Sequence, residues 1–179
     1  MGTEQAVMEQ PRQAQAVNLP VENKLSLVVF SGDLDKQLAA LIISTGAVAM
    51  GMKARLFFTF WGTAALRDPR KAVKGKNFMS TMFGFMLPKG AGKLKLSKMN
   101  MGGTGTAMMK MLMRSKKVAS LEEMLTLAGQ MGVEICICEM SMGLMGFKRE
   151  EMIDYPHMSV CGVASFLAEA ATSRVQLFI

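Results

Sequence analysis

The sequence predicts an α/β domain with a parallel sheet and helices on both of its faces. Three observations lead there. Short β-rich apolar runs stand at "KLSLVVF" (24–30), "KARLFFTFWG" (53–62) and "VEICIC" (133–138). Segments of helical period alternate with them, at the spacing of strand–helix–strand units. Glycine is frequent, at 17, and proline sparse, at 5, which suits an α/β domain better than a β-sandwich.

The chain of 179 residues suits one domain with a real core. Residues 1–22 are Gln- and Ala-rich without apolar periodicity, and are expected to form a flexible tail ahead of a single domain over 23–179. The run 24–30 is continuously apolar, as for a strand buried on both faces. Residues 35–52 carry a helical pattern, with Asp33 or Asp35 as N-cap and Gly51 closing it. Helix signals follow near 63–73 and 77–86, and "PKGAGK" breaks them. The stretch 99–117 is Gly-rich and then helical. In "SLEEMLTLAGQMG" (120–132), Ser120 and Glu123 form a capping box, and Leu121, Met124, Leu125 and Ala128 form an apolar stripe. A short polar helix is expected at 148–155, a further helix at 160–173 and a last strand at 174–179.

Half of the residues are hydrophobic and a fifth charged, which is globular composition. The chain opens without a secretory h-region, so a cytoplasmic protein with reduced thiols is expected, which argues against structural disulfides. The longest apolar stretch, 38–52, is too short and too interrupted to span a membrane. The net charge of +7 is concentrated: residues 67–98 hold nine cations against Asp68 alone. Such a basic insertion fits a solvated loop, an acidic partner or peripheral contact with an anionic membrane. Nucleic acid is not expected, because no recognition helix or RNP-like motif is present.

Ligands of parallel sheets bind beyond the carboxyl ends of the strands. That rule selects Ser31, Gly32, Asp33 and Asp35 after the first strand, Thr59 and Trp61 after the second, and Cys138, Glu139, Met140 and Ser141 after the third. Cys136 and Cys138 share strand parity and point to one face, with Cα atoms about 6.6–6.8 Å apart in an extended strand. That lies at the edge of disulfide reach, so a bridge between them is not expected. A zinc site would need more ligands than the remaining Cys161, His157 and scattered acids supply, and no metal or cofactor is expected. Cys136 reads as a small buried hydrophobe. Cys138 stands where the chain leaves the sheet, and a following turn or helix start would lower its pKa. Cys161, at the start of a predicted helix, is an auxiliary thiol. His157 reads as a loop residue, and "GGTGT" (102–106) as a turn or tight packing rather than a phosphate cradle. The chain has 20 methionines, and those of 108–113 fall at helical spacing, which points to a plastic apolar face and to a homo-oligomer.

Taken in order, "LVVFSGDLDKQLAALIISTGAVAMGM", "FFTFWGTAALR", "MNMGGTGTAMMKMLM", "SLEEMLTLAGQMGVEI" and "CEMSMGLMGFKREEMID" resemble the DsrE/DsrF-like proteins, in particular a DsrE-like sulfurtransferase or peroxiredoxin-like subgroup. The resemblance covers about 24–179. It implies a three-layer α/β/α sandwich with a mainly parallel sheet of about five strands. It also implies sulfur relay through a cysteine persulfide, with oligomers and with TusA-like or rhodanese-like partners. The family's cysteine before "xMSM" falls on Cys138. The function expected is therefore an intracellular sulfur carrier or sulfurtransferase that passes sulfane sulfur from Cys138 to a partner thiol, with Ser141 and Lys36 favouring the anionic persulfide. The alternatives are a non-catalytic oligomeric module docking through the basic segment, and a small-ligand or nucleotide binder.

Overall fold

The computed structural model describes residues 20–71, 82, 84 and 86–179. The expected tail lies almost wholly outside them, as does most of the helix expected at 77–86. The elements are β1 (Glu22–Val29), α1 (Leu34–Ala49), β2 (Lys53–Phe58), α2 (Thr104–Ser115), α3 (Leu121–Gln130), β3 (Glu134–Cys138), α4 (Glu139–Met145), β4 (Met158–Cys161), α5 (Val163–Ala170) and β5 (Ser173–Phe178). The strands form one five-stranded sheet in the order β4-β3-β2-β1-β5, and every neighbouring pair is parallel. This is the three-layer α/β/α sandwich that the sequence predicts.

The topology explains the layers. From β1 to β4 the chain steps in one direction across the sheet, and right-handed crossovers keep the intervening helices on one face. From β4 it returns to the far edge, so the crossover helix α5 lies on the other face. Side-chain alternation makes the two faces unequal. Leu25, Leu27, Val29, Ala54, Leu56, Phe58, Ile135 and Ile137 point to the first face and join the main core with Leu41 of α1 and Leu121 and Leu125 of α3. The intervening residues Phe57, Cys136 and Cys138 point the other way and form a smaller cluster with Phe166 and Ala170 of α5, with Val28 and Cys161 at the margin. The inner strands β1, β2 and β3 are therefore largely buried on both faces, while the outer strands β4 and β5 are partly exposed and the second layer is thin.

The capping box of α3 forms as read: Ser120 accepts from the Glu123 N–H, and Glu123 accepts from the Ser120 N–H at 2.7 Å. The Gly-rich stretch before α2 is a turn, with Gly102 and Gly103 at φ of 68° and 106°. The second strand stops at Phe58, and Phe60–Leu66 forms a 3₁₀ helix in place of the helix expected from 63. The polar helix expected at 148–155 is a single 3₁₀ turn, Arg149–Glu151. Its Glu151 turns inward, 3.5 Å from buried Arg67, whose guanidinium lies 4.5 Å over the Phe147 ring. A buried pair of this kind pulls 149–151 against the body rather than leaving a solvated helix.

The edge strand β4 is absent from the sequence reading, which ran a helix through 160–173. It corrects the reading of the thiols. Cys161 lies opposite Cys138 in the register, and it is bonded to Cys136, 6.0 Å away between Cα atoms. The expectation of three reduced thiols thus gives way to one disulfide and one free cysteine, Cys138. Cys136 is core filling, at 0% exposure, but it is not only that.

Candidate functional site

The chain leaves β1, β2 and β3 at one end of the sheet, and these neighbouring exits gather the residues selected from the sequence. Gly62 lets two of them close together. Its N–H donates to the Phe30 carbonyl at 2.9 Å, and a Cβ at this position would collide with the Val29 carbonyl. Gln37 on α1 adds a second tie, its side-chain N–H groups donating to the carbonyls of Ser31 at 2.6 Å and Gly62 at 3.3 Å.

Cys138 is the last residue of β3 and the N-cap of α4. Next to it, the Ser141 hydroxyl shares a 2.8 Å hydrogen bond with the Thr59 hydroxyl and accepts the Phe60 N–H at 3.0 Å. One hydroxyl proton is spent between Ser141 and Thr59, and the other is left for this network to offer to an acceptor. Phe60 holds a φ of 44°, a left-handed conformation costly for a bulky residue, at the point where it serves this network. Burial pushes the Cys138 thiol up, but the hydroxyl and N–H of Ser141, the hydroxyl of Thr59 and the N–H of Met140 outweigh it together. The net shift is below the ordinary thiol value. The sulfur closes no cap hydrogen bond on α4, so the effect comes from polar groups gathered around it. The arrangement favours a thiolate, and with it nucleophilic sulfur chemistry.

The other rim residues form a second group. Ser31 donates to Asp33 at 2.8 Å, and Asp33 pairs with Lys36 at 3.0 Å. Ser31, Gly32, Asp33 and Trp61 line a cavity of about 240 Å³ with Ala64 and Pro88. Lys36 is thus engaged at the surface. Asp35 turns away and accepts from Ser97, at 2.8 Å from the N–H and 2.6 Å from the hydroxyl. Met140 is exposed and Trp61 half-exposed. Cys138 itself is fully buried, in one apolar cluster with Cys136, Phe57, Phe166 and Ala170. Among the described residues, no group of His, Cys, Asp and Glu has the geometry of a metal site. The larger cavities, of about 520 and 640 Å³, share Tyr155 and Pro156 on the flank of the molecule and do not include Cys138.

Sequence reasoning missed Gln37, Phe60, Phe166 and the pairing of Cys161. Gln37 left a trace, since it stands three residues from Leu34 and four from Leu41, in the buried stripe of α1. The other three depend on packing and register.

The architecture is a parallel α/β domain with one free cysteine, supported by polar groups, at the exit of an interior strand. The chain belongs to the DsrE/DsrF/DrsH-like family, whose model matches residues 21–178. It is 41% identical over 156 residues to the uncharacterized protein YrkE of Bacillus subtilis, covering 87% of this chain and 96% of that one. It is 33% identical over 165 residues to the sulfur carrier protein DsrE2 of Allochromatium vinosum, covering 88% and 99%. The fold also matches the crystal structure of the YchN protein of E. coli, with a TM-score of 0.50 and 11% identity over 87% of this chain and 98% of that one.

Proposed function

We propose that the protein carries sulfane sulfur as a persulfide on Cys138 and passes it to a thiol on a partner protein. The observation that carries the reading is the free cysteine at the end of β3, lowered in pKa by the polar groups of Thr59, Met140 and Ser141. Family membership and the likeness to a protein named as a sulfur carrier support it. The Cys138 thiolate attacks the sulfane sulfur of a donor persulfide, the donor thiolate leaves, and Cys138–S–SH results. A TusA-like or rhodanese-like acceptor thiolate then takes the outer sulfur, and Cys138 returns as thiolate. Full burial of Cys138 makes a local opening around it part of the transfer. Mass spectrometry of reduced protein treated with polysulfide tests the reading: a gain of about 32 Da, one sulfur atom, is expected on Cys138. An adduct of the same yield in Cys138→Ser would sink it.

A second reading rests on α2. Met108, Met111 and Leu112 are exposed there beside Lys110 and Arg114, and the sequence holds no acid from Pro69 to Leu121. This composition suits docking, to an anionic membrane surface or an acidic partner, by a homo-oligomeric module. Among the described residues no helix is long and apolar enough to cross a membrane. Binding to anionic vesicles that is lost at high salt, with unreactive cysteines, would favour docking over sulfur relay.

A further inference from the structure

The proposed carrier cysteine has no direct access to solvent. Cys138 is 0% exposed, and the disulfide next to it offers the route it lacks. All three sulfurs lie on the thin face of the sheet. Cys136 and Cys138 alternate along β3, and Cys161 on edge strand β4 is the register neighbour of Cys138 and the bonded partner of Cys136. The disulfide is also unequal at its two ends: Cys136 is 0% exposed, while Cys161 is partly exposed at the end of the edge strand. A nucleophile must approach a disulfide along its S–S axis, from behind the sulfur it attacks. Approach to Cys136 would pass through the core, and approach to Cys161 comes from the surface.

We propose that the Cys136–Cys161 disulfide is a loading site for hydrosulfide, with Cys161 as the receiving sulfur and Cys136 as the leaving thiol. The inference rests on the persulfide role of Cys138. HS⁻ attacks Cys161 Sγ, the S–S bond breaks, and Cys136 departs as a thiolate that takes a proton from water. The product is Cys161–S–SH. The sulfide sulfur has been oxidised by two electrons and the disulfide reduced by two, so no other oxidant is needed. The Cys138 thiolate, the register neighbour, then attacks the outer sulfur. Cys138–S–SH forms and Cys161 leaves as thiolate. One disulfide loads one sulfur. Partial cover over Cys161 favours a nucleophile with no side group, which hydrosulfide is.

The test uses the full oxidised chain, its disulfide verified, with one equivalent of sulfide under anaerobic conditions, quenched over time by alkylation and mapped by mass spectrometry. A gain of about 34 Da before alkylation, H₂S added across one disulfide, is expected. Sulfur is expected first on Cys161 and then on Cys138, with Cys136 appearing as a plain thiol. In Cys138→Ser the sulfur stays on Cys161. Cys136→Ser no longer takes up sulfur from sulfide but is still loaded on Cys138 by polysulfide. The proposal is overturned by an intact disulfide after sulfide, by sulfur arriving first on Cys136, or by two free thiols with no sulfur retained. If polysulfide loads Cys138 in reduced protein while sulfide leaves the disulfide untouched, only this inference falls. If polysulfide fails to load Cys138, the carrier reading falls first.

Discussion

The two faces of the sheet are built from the same strands and do different work. One packs α1 and α3 over leucines and isoleucines from β1, β2 and β3. The other has the cysteines, a pair of stacked rings, Phe57 and Phe166 at 4.5 Å, and helix α5. Residues adjacent in sequence feel this difference directly. Leu27 is fully buried in the thick layer, while Ser26 faces the thin one and hydrogen-bonds Ser173 at 2.7 Å. The lesson is that most of the buried apolar packing lies on one side of the sheet and all three cysteines on the other, so a change among the cysteines need not disturb the main core.

The largest effect should come from breaking the thick side. Leu27→Ala is expected to cost about 2–5 kcal/mol in denaturant unfolding, against about 1 kcal/mol for Ser26→Ala, which removes one side-chain hydrogen bond. Equal losses would show the faces to be energetically alike. Phe166→Ala probes the thin side. Truncating a buried phenylalanine costs about 3–5 kcal/mol in a full core, and a loss at or below the lower end is expected here. Alkylation of Cys138 in folded protein is expected to rise by at least about tenfold, since uncovered thiols react where buried ones are inert. Unchanged alkylation would show that α5 is not the cover.

The smallest effect sharpens the chemistry. Alkylation of Cys138 in the wild-type chain is expected to follow a pH midpoint below that of an ordinary thiol. Ser141→Ala leaves burial, which raises the value, and removes the hydroxyl, which lowers it, so the midpoint should move up. At neutral pH the thiolate fraction and the labelling rate then fall. A midpoint that stays in place would remove Ser141 from the thiolate's support.

The parallel sheet, the exits of three strands and the common side of Cys136 and Cys138 were all legible in the sequence, because strand parity and capping are local. The placing of Ser31, Thr59 and Cys138 just at strand ends was legible too, although not that Asp35 turns away to Ser97 or that Trp61 lines the Asp33 cavity while Thr59 bonds Ser141. The strand β4 was not legible. "HMSVCG" is short and flows into a helical pattern, so neither its pairing nor the bond from Cys161 to Cys136 had a local signal. The buried Arg67 looked like one more cation of a basic stretch, because its partners Glu151 and Phe147 lie far along the chain.

The return crossover from β4 through α5 to β5 places both outer strands of the sheet and the helix on the cysteine face in one contiguous piece of chain, 158–178. Peeling that piece away would narrow the sheet to β3-β2-β1 and bare the sulfur in the same event. The bond between Cys136 and Cys161 is the rivet that fixes this piece to the centre, and cutting it releases the piece's hold on the sheet where the sulfur sits.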